Sequence, residues 1–313
     1  MPGLALLILI TVALGFEFIN GFHDTANAIA VSIHTGALSA GRAVALAAVM
    51  NLLGAFASEN VARTISGELI SAAIDEYTII AALIAAIIWN LFTWYLGMPA
   101  SSSHALIGAL IGASVIFTGS TDAVLWKNLV LKVVLPLFLC PPAGFAAGAL
   151  ASLFIKKENR IMQIVASAFV AFSHGENDAQ KTMGIITLAL AGRGILCDND
   201  SIPPVIKIVC ALAIAAGTSI GGFRIIDTMG KGLVRLEKTT GLAAQLSSAF
   251  VIQAASAAGI PASTQIVTAS IMGAGRKQRQ KTAKPVFVLL FWLMTMPVCA
   301  FSAGVIMAAI RYI

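Results

Sequence analysis

Gly21-Phe22-His23-Asp24-Thr25-Ala26-Asn27 and Gly175-Glu176-Asn177-Asp178-Ala179-Gln180-Lys181 are two polar runs inside stretches otherwise too apolar to face water. A second shared motif follows each, 73 and 81 residues after the respective aspartate: Gly97-Met98-Pro99-Ala100-Ser101 and Gly259-Ile260-Pro261-Ala262-Ser263. The same polar equipment in the same order marks a duplicated chain. Ionisable groups at membrane depth cost several kcal/mol each, so they mark an ion or substrate path. Paired interruptions at corresponding places in two halves point to a central site between them.

Working outward, the rest of the chain is membrane material. Of 313 residues, 58% are hydrophobic and 11% charged, where a soluble domain carries roughly a quarter charged. Mean hydropathy is +0.92. Apolar runs long enough to cross a bilayer recur throughout, so the expectation is an all-α multi-pass membrane protein. The first stretch lacks a basic leader and runs straight into a polar motif, which argues against a cleavable signal peptide. Cys140, Cys197, Cys210 and Cys299 have no metal spacing and read as small packing residues.

The net charge of +6 is clustered at Lys156–Arg160, at 224–238 and at 276–284. In a membrane chain such clusters set topology, holding basic loops in the cytoplasm, rather than binding nucleic acid. Residues 58–77 carry Glu59, Glu68, Asp75 and Glu76 against a single Arg63 and should face outside. Acidic or weakly charged segments flank the first Pro-Ala-Ser tip on both sides, and basic segments flank the second. A segment that starts and ends on one side is re-entrant, and such backbone survives only when buried in protein or lining a cavity. The expectation is therefore two inverted-topology repeats, 1–155 and 161–313, with helices broken at the polar motifs and two re-entrant helical hairpins. An odd number of crossings per half would place both termini outside. Thr64-Ile65-Ser66-Gly67 and Thr228-Met229-Gly230-Lys231 are a fainter echo of the duplication.

Asp24 and Asp178 are the equivalent carboxylates, each three residues after a glycine. A carboxylate there binds a monovalent cation or carries a proton. Asn27, Asn177 and Gln180 suit a cation through oxygen or an oxyanion through N–H. Lys181 needs an anion when buried, supplied by Asp178 or by a bound oxyanion. Ser101, Ser102, Ser103, Ser263 and Thr264 follow the two tip prolines, where hydroxyls and free N–H groups of helix N-termini favour anions. His23, directly before Asp24, is a candidate proton carrier. Glu17 lies two turns before Asp24 on a similar face and is expected to join its network.

These motifs resemble the PiT family of inorganic phosphate transporters. The resemblance is carried by Gly-Phe-His-Asp-Thr-Ala-Asn-Ala (21–28), Ser-His-Gly-Glu-Asn-Asp-Ala-Gln-Lys-Thr-Met-Gly (173–184) and Gly-Met-Pro-Ala-Ser-Ser-Ser-His-Ala-Leu-Ile-Gly (97–108). It covers essentially the whole chain. It implies phosphate and a coupling cation bound between two inverted halves, no other cofactor, location in the cell membrane and dimers. Phosphate would fall to Ser101, Ser102, Ser103, Ser263, Thr264, Asn27, Asn177, Gln180 and Lys181. The cation would fall to Asp24, Asp178, Asn27, Asn177 and His23. The second tip departs from the family pattern: Pro261-Ala262-Ser263-Thr264-Gln265 is one threonine short. The long central hydrophilic loop of larger members is also missing.

The expected function is a secondary-active phosphate symporter rather than an enzyme. The Gly-Phe-His-Asp form favours protons over sodium, and phosphate could also enter as a metal–phosphate complex. A sulfate or other tetrahedral oxyanion symporter is the nearest rival. An intramembrane hydrolase using Ser102 or Ser103 with His104 is a rival of another class, and a channel is a third.

Overall fold

The computed structural model describes residues 2–70, 74–157, 159–196, 201–234, 236–262, 265–277 and 284–311. Among them, one bridge between Ile70 and Val124 is the only strand-type pairing. The remaining regular structure is helical.

The two polar motifs lie in the two longest helices, α1 (Pro2–His34) and α8 (Arg160–Gly192), 33 residues each. At 1.5 Å per residue each is about 50 Å long. Both run unbroken through their motifs, which corrects the expectation of breaks there. Neither has proline inside the motif. In a helix every backbone group is already paired, so a polar run can send its side chains inward without unwinding the chain. The breaks fall elsewhere. After α2 (Ala40–Gly54) the chain turns into α3 (Asn60–Arg63) and a π-helical turn, Thr64–Glu68. After α9 (Pro204–Ile220) it bends by 59° into α10 (Phe223–Asp227) and a second π-helical turn, Thr228–Gly232. The faint sequence echo lands on these two π turns.

Each half also has a hairpin. The first is α4 (Glu76–Tyr95) and α5 (Ser102–Thr118); the second is α11 (Lys238–Ala257) and α12 (Gln265–Ala274). Both first arms end at a glycine of positive φ, Gly97 (66°) and Gly259 (67°), a conformation glycine adopts without strain. Proline follows two residues later and stops the helix from resuming at once. The halves close with α6 (Trp126–Leu129), which continues through a π turn into α7 (Leu135–Phe154), and with α13 (Lys284–Arg311).

The packing matches element for element. α1 lies on α4 and α9, and α8 lies on α11 and α2. α5 lies against α13, and α12 against α7. The crossings α1–α9 and α2–α8 are glycine contacts: a Cβ at Gly21 or Gly217 would strike backbone of Ile214 or Phe18, and one at Gly54 or Gly175 that of Phe172 or Asn51.

Among the described residues, four helical segments are long and apolar enough to cross a membrane: Gly3–His34, Glu76–Tyr95, Trp126–Phe154 and Val286–Arg311; the bent pair α9–α10 makes a fifth. The outer surface carries large apolar side chains, with Phe154 and Phe301 exposed by 77% and 76%. The interior holds Glu17, Asp24, Asp178 and Lys181 at 2% exposure or less. This inside-out distribution suits lipid rather than water as the surroundings. Cys210 and Cys299 are buried and Cys140 half-buried, all as free thiols. Cys197 lies outside the described residues.

Candidate substrate site

The middles of α1 and α8 meet the first hairpin tip in one buried polar cluster. Lys181 sits at its centre. Its ammonium lies 2.9 Å from Asp178 Oδ1 and donates to Ser102 Oγ at 2.8 Å and Ser103 Oγ at 3.1 Å. Ser102 in turn donates to Asp24 Oδ2 at 2.8 Å. One hydroxyl therefore connects the carboxylate of the first half to the ammonium of the second. Ser103 donates to the Ala262 carbonyl of the second tip at 3.0 Å, so the two tips touch.

The aspartates are held by matching neighbours. His23 Nδ1 lies 2.8 Å from Asp24 Oδ1, and its Nε2 lies 3.0 Å from Thr93 Oγ1 on α4. Asn27 reaches the same Asp24 oxygen at 3.4 Å. On the other side Asn20 donates to Asp178 Oδ2 at 3.1 Å, and His174 Nε2 stands 3.0 Å from that oxygen. Ligand atoms of Asp24, His174 and Asp178 lie within 4.8 Å of one another. With His23 and His174 neutral, two carboxylates against one ammonium leave the cluster one negative charge in excess. The Oδ1 atoms of Asn27 and Asn177 are buried and have no hydrogen-bond partner among the described residues. They are oxygens available to a cation or a protonated ligand.

Not every expected residue belongs to this cluster. Ser101 caps α5, accepting from the His104 N–H at 3.2 Å. The Gln180 amide is spent on structure: Oε1 accepts from Val61 N and Ala62 N at 2.8 and 3.2 Å, and Nε2 donates to Ser58 Oγ and the Glu176 carbonyl. Asn177 donates to Ser256 Oγ at 2.8 Å and to the Ile260 carbonyl at 3.2 Å, which fastens α8 to the second tip. Ser263 and Thr264 lie outside the described residues. Gln265, the residue after the second tip, places its Nε2 3.5 Å from His104 Nδ1. Ser102 bonds Asp24 and Ser103 bonds a carbonyl, so no serine–histidine pair forms at this tip.

Several partners escaped the sequence reading. Asn20 sits immediately before Gly21 as His174 sits before Gly175, and that correspondence was available from the aligned motifs. Thr93, Ser256, Asn51 and Thr218 were not, because their roles come from helices distant in sequence. Asn51 Oδ1 accepts from His174 Nδ1 at 3.1 Å, and Asn51 Nδ2 donates to Thr218 Oγ1 at 2.8 Å.

The phosphate transporter family model matches residues 20–160 and 156–303. The chain belongs to the phosphate transporter family. A probable low-affinity inorganic phosphate transporter of Bacillus subtilis is 42% identical over 323 residues, covering 95% of both chains. One from Mycobacterium bovis is 42% identical over 325 residues, covering 96% of this chain and 77% of that one. The fold is similar to that of a solved structure titled the sodium-dependent phosphate transporter, with a TM-score of 0.86 over 99% of each chain at 20% identity. As a member of the phosphate transporter family with this set of apolar helices, the chain is a multi-pass membrane protein and a transporter rather than an enzyme.

Proposed function

We propose that this chain is a secondary-active symporter of inorganic phosphate, coupled to a cation and to protons in preference to sodium. The observation that carries the reading is the Lys181 ammonium, held between Asp178 and the Ser102 and Ser103 hydroxyls. An ammonium and two hydroxyls at the first turn of a helix are donors suited to a tetrahedral oxyanion. The phosphate transporters this chain resembles supply phosphate as the anion.

The charge balance supports coupling. The cluster already has one negative charge in excess, so a buried phosphate alone is unfavourable. A cation alone would leave Lys181 facing it across the site. Each ligand lowers the cost of the other, which is positive cooperativity. Protons are favoured by the His23–Asp24 pair, whose carboxylate is already engaged by an imidazole and a hydroxyl rather than standing open. Sodium is the second reading, motivated by the convergence of Asp24, His174 and Asp178.

The halves 1–155 and 161–313 would be inverted repeats with the site near the bilayer midplane and both termini extracytoplasmic. Rocking of one bundle against the other would alternate access. The test is labelled-phosphate uptake into proteoliposomes, with proton and sodium gradients imposed separately and sulfate as competitor. Accumulation driven by the proton gradient is expected. Gradient-independent flux would make the protein a channel or uniporter, and preferential sulfate transport would overturn the substrate.

A further inference from the structure

Glu17 is a third carboxyl at the centre of the protein, and the phosphate cluster does not use it. It is 0% exposed. Its Oε2 accepts from Thr182 Oγ1 across the α1–α8 contact. Its Oε1 is buried with no hydrogen-bond partner among the described residues. Asp24 and Asp178 each have a cationic or imidazole neighbour in contact, whereas Glu17 is in no ion pair among the described residues. The titratable groups acting on it are Lys181 and Asp178 from α8, Asp24 from α1 itself and Cys210 from α9. The buried faces of α2, α4, α10, α11 and α12 bring no titratable residue.

We infer that Glu17 carries the coupling proton. A carboxylate buried without a counter-charge is far costlier than the neutral acid, so the closed α1–α8 contact holds Glu17 as a carboxylic acid. When the helices part and water reaches Oε1, the O–H bond breaks heterolytically, the proton passes to water and the carboxylate is left hydrated. Closing the contact on the other side requires the proton to be taken up again. The Thr182 hydroxyl adjoins Lys181 in sequence, so the same stretch of α8 touches the proton carrier and the anion-binding ammonium. This couples protonation to the position of Lys181.

The inference rests on the proton-symport reading, and the experiment separates the two. In proteoliposomes, wild-type protein that accumulates phosphate only on a sodium gradient would sink the proton reading itself. If the wild type is proton-driven, Glu17→Gln should abolish pH-gradient accumulation while phosphate–phosphate exchange stays within about twofold, since exchange needs no net proton movement. Glu17→Asp, which keeps an acid, should restore pH-dependent accumulation. Infrared spectroscopy of the wild type at neutral pH should show a buried carboxylic-acid band that Glu17→Gln removes. Accumulation persisting in Glu17→Gln, loss of exchange and accumulation together in that variant, or no such band in the wild type would each overturn the inference.

Discussion

Arg224 of the second half donates to the Tyr95 carbonyl of the first hairpin at 2.9 Å, while its guanidinium covers the rings of Trp94 and Tyr95 at 5.1 and 4.9 Å. The corresponding contact in the other half is a single hydrogen bond, which Asn60 Nδ2 donates to the Ala257 carbonyl at 3.2 Å. Gly97 packs over Arg224 and Thr228, as Gly259 packs over Asn60 and Thr64. The two tips are therefore fastened at equivalent places with unequal strength.

Arg224→Ala should loosen the first tip. A hydrogen bond and two exposed cation–π contacts amount to about 1–2 kcal/mol, or about tenfold in an opening equilibrium. A thiol introduced by Ser102→Cys should then react with a water-soluble reagent about tenfold faster in the Arg224→Ala background. Asn60→Ala should change that rate little. Equal effects from the two alanine variants would mean the asymmetry has no energetic weight.

Lys181→Met should cost more than any other single change at the cluster. It removes the one cation beside two buried carboxylates, a loss of about 3–5 kcal/mol by analogy with broken buried pairs. Phosphate affinity, measured by titration calorimetry on purified protein, is expected to fall by at least about a hundredfold. Near-normal affinity would move the anion away from Lys181.

Ser101 and Ser102 are adjacent and should behave differently. Ser101→Ala removes a helix cap and should cost about 1 kcal/mol of thermal stability with phosphate affinity unchanged. Ser102→Ala breaks the connection from Asp24 to Lys181 and should weaken phosphate binding with little effect on melting. The reverse pattern would show that the hairpin presents its hydroxyls in another register.

Gly175→Ala should damage folding without touching any polar group. The added methyl meets Asn51 backbone, which no rotamer change relieves. A loss of about 2–3 kcal/mol is expected in detergent unfolding. Gly194→Ala is the informative contrast: there the penalty comes from a φ of 67° rather than from collision.

The duplicated motifs made the architecture legible, because the four quoted stretches fall on the two longest helices, α1 and α8, and on the two hairpin tips. The error was to treat a polar run as a helix break. That rule comes from backbone exposed to water, whereas at Asp24 and Asp178 the helix supplies its own backbone partners and only side chains need company. Lys181 and Ser102 were legible as members of the buried polar cluster because a charge in an apolar helix and a hydroxyl at a helix start have few other uses. Gln180 was less legible: an amide serves a ligand or a neighbouring loop equally well, and only the fold shows it gripping α3. The partners of His23 and His174, Thr93 and Asn51, left no trace in the motifs, since their distance along the chain has no periodic signature.

Asp24 aligns with Asp178, so Asn27 aligns with Lys181. A neutral amide in one half thus answers a cation in the other, at the centre of a molecule whose helices otherwise correspond pair by pair. Two identical separate subunits meeting about a two-fold axis would have to place such cations in even numbers, none or two. An odd charge at such an axis needs two halves of unlike sequence, and a single chain supplies both at once. Asn27 and Lys181 therefore form a pairing that no homodimer of half-length chains can reach.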